Sequence, residues 1–188
     1  MMELKGICKA YGEKQVLQNV DLTLREGGIT ALMGASGRGK TTLPRILMGL
    51  EEAEGGERIG LDAVRISAVF QEDRLLERLT AEGNLRFVAE TERQRGEIPN
   101  LLQELGLTGE TEPAATFSGG MKRRLAIARA LLADYDLLVL DEPFRGLDET
   151  TKRQTVETVR RRSLGKTVLL VTHDEEEARA LTEHIVRI

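Results

Sequence analysis

The run Gly34-Ala35-Ser36-Gly37-Arg38-Gly39-Lys40-Thr41-Thr42 fits the pattern G-x-x-x-x-G-K-[ST]. Glycines at this spacing let successive backbone N–H groups curl around phosphate oxygens, the lysine reaches the β- and γ-phosphates, and the next hydroxyl is placed to ligate Mg²⁺. Further along, the apolar run Leu137-Leu138-Val139-Leu140 ends in Asp141-Glu142. A strand ending in two carboxylates is common in α/β proteins, but a phosphate loop in the same chain gives it a specific meaning. Asp141 suits a water of hydrated Mg²⁺, a hard cation that keeps several waters. Glu142, one residue on, suits the acceptor of a proton from a water attacking the γ-phosphate. A third stretch, Phe117-Ser118-Gly119-Gly120-Met121, opens a helical run. Two glycines there bring bare N–H groups and the positive end of the helix dipole to an anion. The plainer role of Ser118 is an N-cap.

The elements that must hold these residues can be read from periodicity. Gly28 to Met33 reads as a buried strand and Lys40 to Leu50 as a helix, so the loop lies between strand and helix as phosphate binding requires. Glu3 to Cys8, Val20 to Leu24, Glu57 to Leu61 and Arg65 to Phe70 read as further strands. Residues 72–135 change texture to helical spacing, punctuated by Gly83, Gly96, Pro99, Gly106, Gly109 and Pro113. Strands at Leu137 to Asp141, Thr167 to Val171 and His184 to Ile188 then alternate with helices from Asp148 to about Ser163 and from Asp174 to Leu181. This order predicts an α/β fold with a mainly parallel central sheet, an N-terminal antiparallel β-region and an inserted α-helical subdomain. The expected organisation is one domain over 1–188, with a catalytic core at 1–71 and 136–188 and a helical subdomain at 72–135. In the helix after Asp148, a capping Asp148, pairs Glu149 to Arg153 and Glu157 to Arg161 at four-residue spacing, three arginines in the last turn and Gly165 as a stop agree with one another.

Composition narrows the function classes. With 188 residues, 40% of them hydrophobic and 31% charged, the chain is long enough to bury a sizeable core and falls among soluble globular proteins. Its net charge is −4, and the runs Lys122-Arg123-Arg124 and Arg160-Arg161-Arg162 have acidic neighbours, so no basic face for nucleic acid is expected. Cys8 is the only cysteine, which excludes an internal disulfide and fits a reducing compartment. No apolar run has the length of a membrane span, and the N-terminus does not read as a secretory signal.

Taken together, the phosphate loop, Ser118-Gly119-Gly120 ahead of the helical run to Leu132, and Asp141-Glu142-Pro143 resemble the ATP-binding cassette (ABC) ATPases, the nucleotide-binding subunits of ABC transporters. The resemblance covers about Glu3 to Ile188. It implies a P-loop NTPase that hydrolyses ATP with Mg²⁺, in which two copies meet head to tail and each ATP is clamped between one copy's phosphate loop (Gly34, Ser36, Gly37, Gly39, Lys40, Thr41, Thr42) and the other's Ser118, Gly119 and Gly120. On the same grounds Tyr11 resembles the aromatic that stacks on adenine. Gln71 resembles the glutamine that touches Mg²⁺ and the attacking water, and Thr41 and Asp141 complete the metal set. Asp148 resembles the aspartate that contacts the opposite copy, and His173 the switch histidine at the γ-phosphate. The implied partners are a second copy, a transmembrane permease docked near Glu72 to Thr80 and, in import systems, a substrate-binding protein. The implied place is the cytoplasmic side of the cell membrane.

Asp141-Glu142-Pro143-Phe144 followed by Gly146-Leu147-Asp148 resembles most the importer cassettes of the nitrate, sulfonate and taurine type. Several positions depart from the family's usual residues: Phe117 for leucine, Met121 for glutamine, Phe144-Arg145 for small residues, and Pro44 just past the free N–H groups of the phosphate-loop helix. The interval from Lys40 to Gln71 is short, which predicts a trimmed antiparallel β-region, and the chain stops soon after His173, which predicts no C-terminal regulatory domain. Two other classes stay open on the sequence: a soluble ABC ATPase in nucleic-acid or translation work, and a regulatory cassette with little turnover.

Overall fold

The computed structural model describes residues 1–35 and 37–188. The chain divides into two compact units, the first made of Met1–Ile66, Tyr135–Asp141 and Leu164–Ile188, the second of Ser67–Asp134 and Glu142–Ser163.

In the first unit, strands β1 (Met2–Tyr11) and β2 (Lys14–Leu24) pair antiparallel, and β4 (Gly55–Ile59) pairs with the other edge of β1, giving the expected antiparallel sheet in the order β2-β1-β4. Close packing there depends on glycine. A Cβ on Gly56, whose φ is +93°, would lie 2.6 Å from the carbonyl oxygens of Lys5 and Gly6. The parallel sheet is built from β3 (Ile29–Met33), β6 (Leu137–Asp141), β7 (Thr167–Val171) and β8 (Ile185–Arg187), in the order β6-β7-β3-β8. Strand β5 (Ile66–Val69) begins at Ile66 beside β6, where Asp136 and Leu137 donate their N–H groups to the Arg65 carbonyl at 2.9 and 3.2 Å. Every residue of β6 and β7 is buried, the signature of parallel strands covered on both faces.

Helix α1 (Thr42–Leu47) is shorter than the expected Lys40 to Leu50. The N–H of Leu43 bonds Gly39 O at 2.8 Å and that of Arg45 bonds Thr41 O at 3.4 Å, bracketing the place where Pro44 has no N–H to offer the Lys40 carbonyl. Pro44 is the third helical residue, inside the first turn where proline costs least, and it is buried. Helix α6 (Glu175–Leu181) follows β7 and is capped by Asp174, whose Oδ1 accepts the N–H groups of Glu176 and Glu177 at 2.8 and 3.3 Å.

The second unit is helical, with α2 (Ala81–Arg86), α3 (Glu92–Glu104), α4 (Gly119–Leu132) and α5 (Glu149–Arg162). Its core gathers Leu85, Ile98, Leu101, Leu105, Leu125 and Ala128 among others, with Phe117 inside it and Met121 packed against it. The two departures from the usual signature residues are thus core side chains. Gly96 and Pro99, read from sequence as breaks, lie inside α3, which runs through both. A capping box between Thr91 and Gln94 starts that helix, and the buried Ile98, Leu101 and Leu102 hold its inner face, which outweighs one missing N–H. At its far end the Arg124 guanidinium donates to the carbonyls of Leu105 at 2.6 Å and Gly106 at 3.0 Å, where the helix dipole is negative.

Helix α5 is capped as expected, the Asp148 carboxylate accepting the Thr151 N–H at 3.1 Å. Its expected four-residue ion pairs are replaced by others. Glu149 pairs with Lys152 at 3.1 Å, Glu157 with Arg160 at 2.9 Å, and Arg161 reaches Glu104 of α3 at 2.9 Å. Arg162 embraces the same carboxylate at 2.9 and 2.7 Å and adds Glu97 at 2.8 Å. Tertiary acceptors on α3 took the arginines that a helix in isolation would have paired along its own face. The Arg162 guanidinium beside Glu104 holds that carboxyl below its usual range.

Candidate active site

The first unit carries the phosphate loop, Asp141 and His173 on one edge. Asp141 is in register with Val171, and Val171 with Leu32, so the ends of β6, β7 and β3 lie side by side. At about 4.8 Å per strand step, the Asp141 and Leu32 backbones are about 10 Å apart. The chain leaves Leu32 through Met33 into the loop at Gly34, and leaves Val171 through Thr172 to His173. Crevices outside the carboxyl ends of parallel strands are where α/β proteins bind ligands.

The loop is shaped by glycines with distinct roles. Gly37 and Gly39 have φ of +81° and +88°, the left-handed region. A Cβ on Gly39 would also stand 2.4 Å from Leu17 Cδ2, and one on Gly34 would stand 2.5 Å from the Ile188 carbonyl oxygen. The Lys40 ammonium donates to the carbonyls of Gly34 at 2.6 Å and Ala35 at 2.9 Å, folding back over the loop. Thr41 is half-buried and Thr42 buried. Ser36 lies outside the described residues. Asp141 is buried at 6% exposure and His173 is exposed. His173 stands between two anchored residues: the Thr172 hydroxyl donates to the buried Glu177 carboxylate at 2.6 Å and accepts the Asp174 N–H at 3.1 Å. Tyr11 is 49% exposed, its hydroxyl donates to Glu51, and the Lys9 ammonium lies 5.5 Å from its ring centroid.

The second unit carries Gln71, Ser118 to Gly120, Glu142 and Asp148. Ser118 is the N-cap of α4, accepting the Met121 N–H at 3.3 Å. Gly119 and Gly120 have no positive φ, a Cβ on Gly119 would meet nothing within 4 Å, and one on Gly120 would make an ordinary 3.5 Å contact with Leu147 Cδ2. Among the described residues nothing requires glycine there, although glycine in a helix costs up to about 1 kcal/mol relative to alanine. Such bare N-terminal backbone suits close approach by an anion from outside. Glu142 has φ of +51°, uncommon for a residue with a side chain. Gln71 is exposed, and Asp148 is exposed with its carboxyl held below the usual range by the hydrogen bond from Thr151.

Sequence reasoning passed over Arg123, one of a run of three basic residues. It is 4% exposed and its guanidinium binds the Phe70, Gln71 and Glu142 carbonyls and the Asp73 carboxylate. The available signal was its phase, because Arg123 shares the buried face of α4 with Ile127 and Ala130. Among the described residues no group of three or more His, Cys, Asp or Glu forms a metal cluster, and no helix is long and apolar enough to cross a membrane.

A family model described as ABC transporter matches residues 17–145, well over half of the chain. The chain belongs to the ABC transporter ATPases. The cassette is 41% identical over 196 residues to the aliphatic sulfonates import ATP-binding protein SsuB of Corynebacterium glutamicum, an alignment covering 97% of this chain and 78% of that one. It is 34% identical to the spermidine/putrescine import ATP-binding protein PotA of Spiroplasma citri, covering 99% of this chain and 58% of that relative. Among solved structures it resembles the dimeric cassette MJ0796, with a TM-score of 0.85 and 30% identity over 100% of this chain and 94% of that one. It also resembles the post-hydrolysis dimer of the same cassette bound to ADP and Pi, with a TM-score of 0.82 and 30% identity over 99% and 96% of the two chains. The expected P-loop α/β fold and the likeness to sulfonate-type importer cassettes are borne out by these relatives. The cassette is the ATP-binding and ATP-hydrolysing subunit of an ABC transporter.

Proposed function

We propose that this cassette drives an importer of small sulfonates, hydrolysing Mg²⁺-bound ATP at the cytoplasmic face of the membrane with a permease and a substrate-binding protein. The observation that carries the catalytic part is the register across the parallel sheet, which sets Asp141 and the residues leading to His173 beside the strand that feeds the phosphate loop. The sulfonate class rests on the relatives whose names carry it.

In this reading the loop N–H groups of Gly34, Ser36, Gly37 and Gly39 and the Lys40 ammonium bind the phosphates, and Tyr11 offers its exposed ring to adenine. Oxygen donors suit a hard cation: the Thr41 hydroxyl, the Asp141 carboxylate and the Gln71 amide would hold Mg²⁺ directly or through water. Bound there, the ion would neutralise charge growing on the β- and γ-phosphate oxygens. Gln71 and Glu142 take their roles from their place in the sequence, Gln71 orienting the attacking water and Glu142 accepting its proton. As the water oxygen bonds to the γ-phosphorus, the bond to the bridging oxygen breaks, ADP is the leaving group, and His173 steadies the phosphate that forms. The division into a catalytic core at 1–71 and 136–188 and a segment at 72–135 that carries the signature is a functional one.

A second copy would supply Ser118, Gly119 and Gly120 to the γ-phosphate, with Asp148 at the contact between copies. The permease would dock at Glu72 to Thr80. This segment is stitched in place by the buried Asn84, whose amide donates to the carbonyls of Leu76, Leu79 and Thr80 at 3.1, 3.3 and 3.0 Å. Leu79, 40% exposed, gives it an apolar surface group, and Phe87 at the end of α2 is 71% exposed.

The test is Glu142→Gln in the cassette alone and reconstituted with its permease. The variant is expected to bind ATP, to lose turnover and to accumulate as an ATP-bound dimer, and wild-type turnover would remove Glu142 from the mechanism. For the substrate, ATPase activity of the reconstituted transporter should rise with alkanesulfonate-loaded binding protein. Stimulation by polyamine and not by sulfonate would replace the substrate class.

A further inference from the structure

We propose that Arg123 is a positioning residue for hydrolysis, fastening helix α4 to the backbone that bears Gln71 and Glu142. The proposal rests on the reading of those two residues given above. The Arg123 Nη1 donates to the Phe70 carbonyl at 2.6 Å and to the Asp73 carboxylate at 3.0 Å, and Nη2 donates to the Gln71 carbonyl at 3.2 Å and to the Glu142 carbonyl at 3.1 Å. Three of the four acceptors are main-chain oxygens. An ion pair with Asp73 would have sufficed to neutralise the buried charge, so the remaining bonds do something else: they tie two separate segments to one rigid, planar group.

The consequences follow from what the guanidinium holds. Its donors have fixed angles, so the Phe70 to Gln71 backbone and the Glu142 backbone cannot shift independently of one another or of α4. Glu142 needs such a restraint, because its φ of +51° is one that a side-chain-bearing residue seldom keeps unaided. On α4, Arg123 stands five residues after Ser118, about 7.5 Å along the helix axis. A phosphate engaged at the start of α4 therefore acts on Gln71 and Glu142 of the same chain through one stiff helix and one side chain. That makes Arg123 a link by which ATP held by one copy sets the hydrolytic residues of the other. The phosphate loop does not depend on it, so Arg123 should govern turnover rather than ATP affinity.

The experiment compares Arg123→Lys, Arg123→Gln, Asp73→Asn and Glu142→Gln for kcat, KM, ATP binding and hydrogen exchange. Arg123→Lys keeps the charge beside Asp73 but loses the fork. It should lower kcat tenfold or more with KM within threefold, since misplacement by about 1 Å can cost about a hundredfold. Exchange should quicken at residues 70–73 and 142–145. Arg123→Gln, which keeps an uncharged pair of donors, should show the same split of kcat from KM if the lysine variant does not fold. Asp73→Asn removes the ion pair and leaves the carbonyl bonds, so in the cassette assayed without the permease it should lower the melting temperature and lower kcat at least threefold less than Arg123→Lys does. A wild-type kcat in a folded Arg123 variant, or an equal loss in Asp73→Asn, overturns the proposal. If Glu142→Gln is inactive while the Arg123 variants are unimpaired, only this proposal fails; if Glu142→Gln turns over normally, the reading beneath it fails as well.

Discussion

Gly37 and Gly39 are two residues apart in the same loop with nearly the same φ, and substituting each with alanine separates conformational strain from crowding. A Cβ on Gly37 meets nothing within 4 Å, so Gly37→Ala should cost only the left-handed conformation, about 1–2 kcal/mol. A Cβ on Gly39 carries that cost and also meets Leu17 Cδ2 at 2.4 Å and Val16 Cγ1 at 3.2 Å. Leu17 is 1% exposed on β2 and cannot swing into solvent, so overpacking adds about 1–3 kcal/mol. Gly39→Ala should thus cost about 2–5 kcal/mol in all. At about 2–4 °C per kcal/mol for a chain of this size, Gly37→Ala lowers the melting temperature by about 2–8 °C and Gly39→Ala by about 4–20 °C. Leu17→Ala alone opens a cavity worth about 2–5 kcal/mol, but in the double variant the new methyl group fills part of that space. The pair should be more stable than the sum of its parts by about 1–3 kcal/mol. Thermal unfolding of the four proteins measures this, with nucleotide binding as a second readout. Equal losses in the two single variants, or strict additivity in the double variant, would refute the crowding argument.

Three shorter predictions follow from other contacts. Gly119→Ala should leave the isolated cassette as stable as wild type or up to about 1 kcal/mol more so, because none of the described residues opposes the methyl group, and should lower ATP turnover at least tenfold with phosphate-loop affinity unchanged; unimpaired turnover would show that no ligand approaches this glycine. Arg162→Met removes a forked pair and a third bond at side chains 25% and 20% exposed, so unfolding free energy should fall by about 2 kcal/mol and the melting temperature by about 4–8 °C, less at high salt. The Arg65 guanidinium and N–H hold the Asp136 carboxyl at about 2 instead of 3.8. A depressed folded value gives stability that is present above pH 3.8 and is lost as the pH falls through about 2, so acid unfolding of Asp136→Asn should show a shallower dependence across that window.

The chemistry was legible in the sequence because it depends on residue types at fixed chain separations. A phosphate loop is a local object: glycines at positive φ, a lysine and a hydroxyl within nine positions, between a strand and a helix whose periods can be counted. The capping roles of Asp148 and Ser118 were legible for the same reason, since a cap bonds only two or three residues ahead. Buried β6 and β7 announced themselves as unbroken apolar runs.

Tertiary structure decided what depends on partners distant in the chain. Arg123 and Arg162 each sit in a basic run that reads as solvated, and each instead serves acceptors about 19 to 65 positions away, chosen by which helices pack together. Helix α3 runs through Gly96 and Pro99 because its inner face is held by the core of the second unit, a force that local propensity does not contain. The need for glycine at Gly39 comes from Leu17 on a different strand, and the freedom at Gly119 comes from empty space beside it. Local rules fixed which groups this protein has for phosphoryl transfer; packing fixed what holds them, because a side chain's neighbours in space are set by the whole fold.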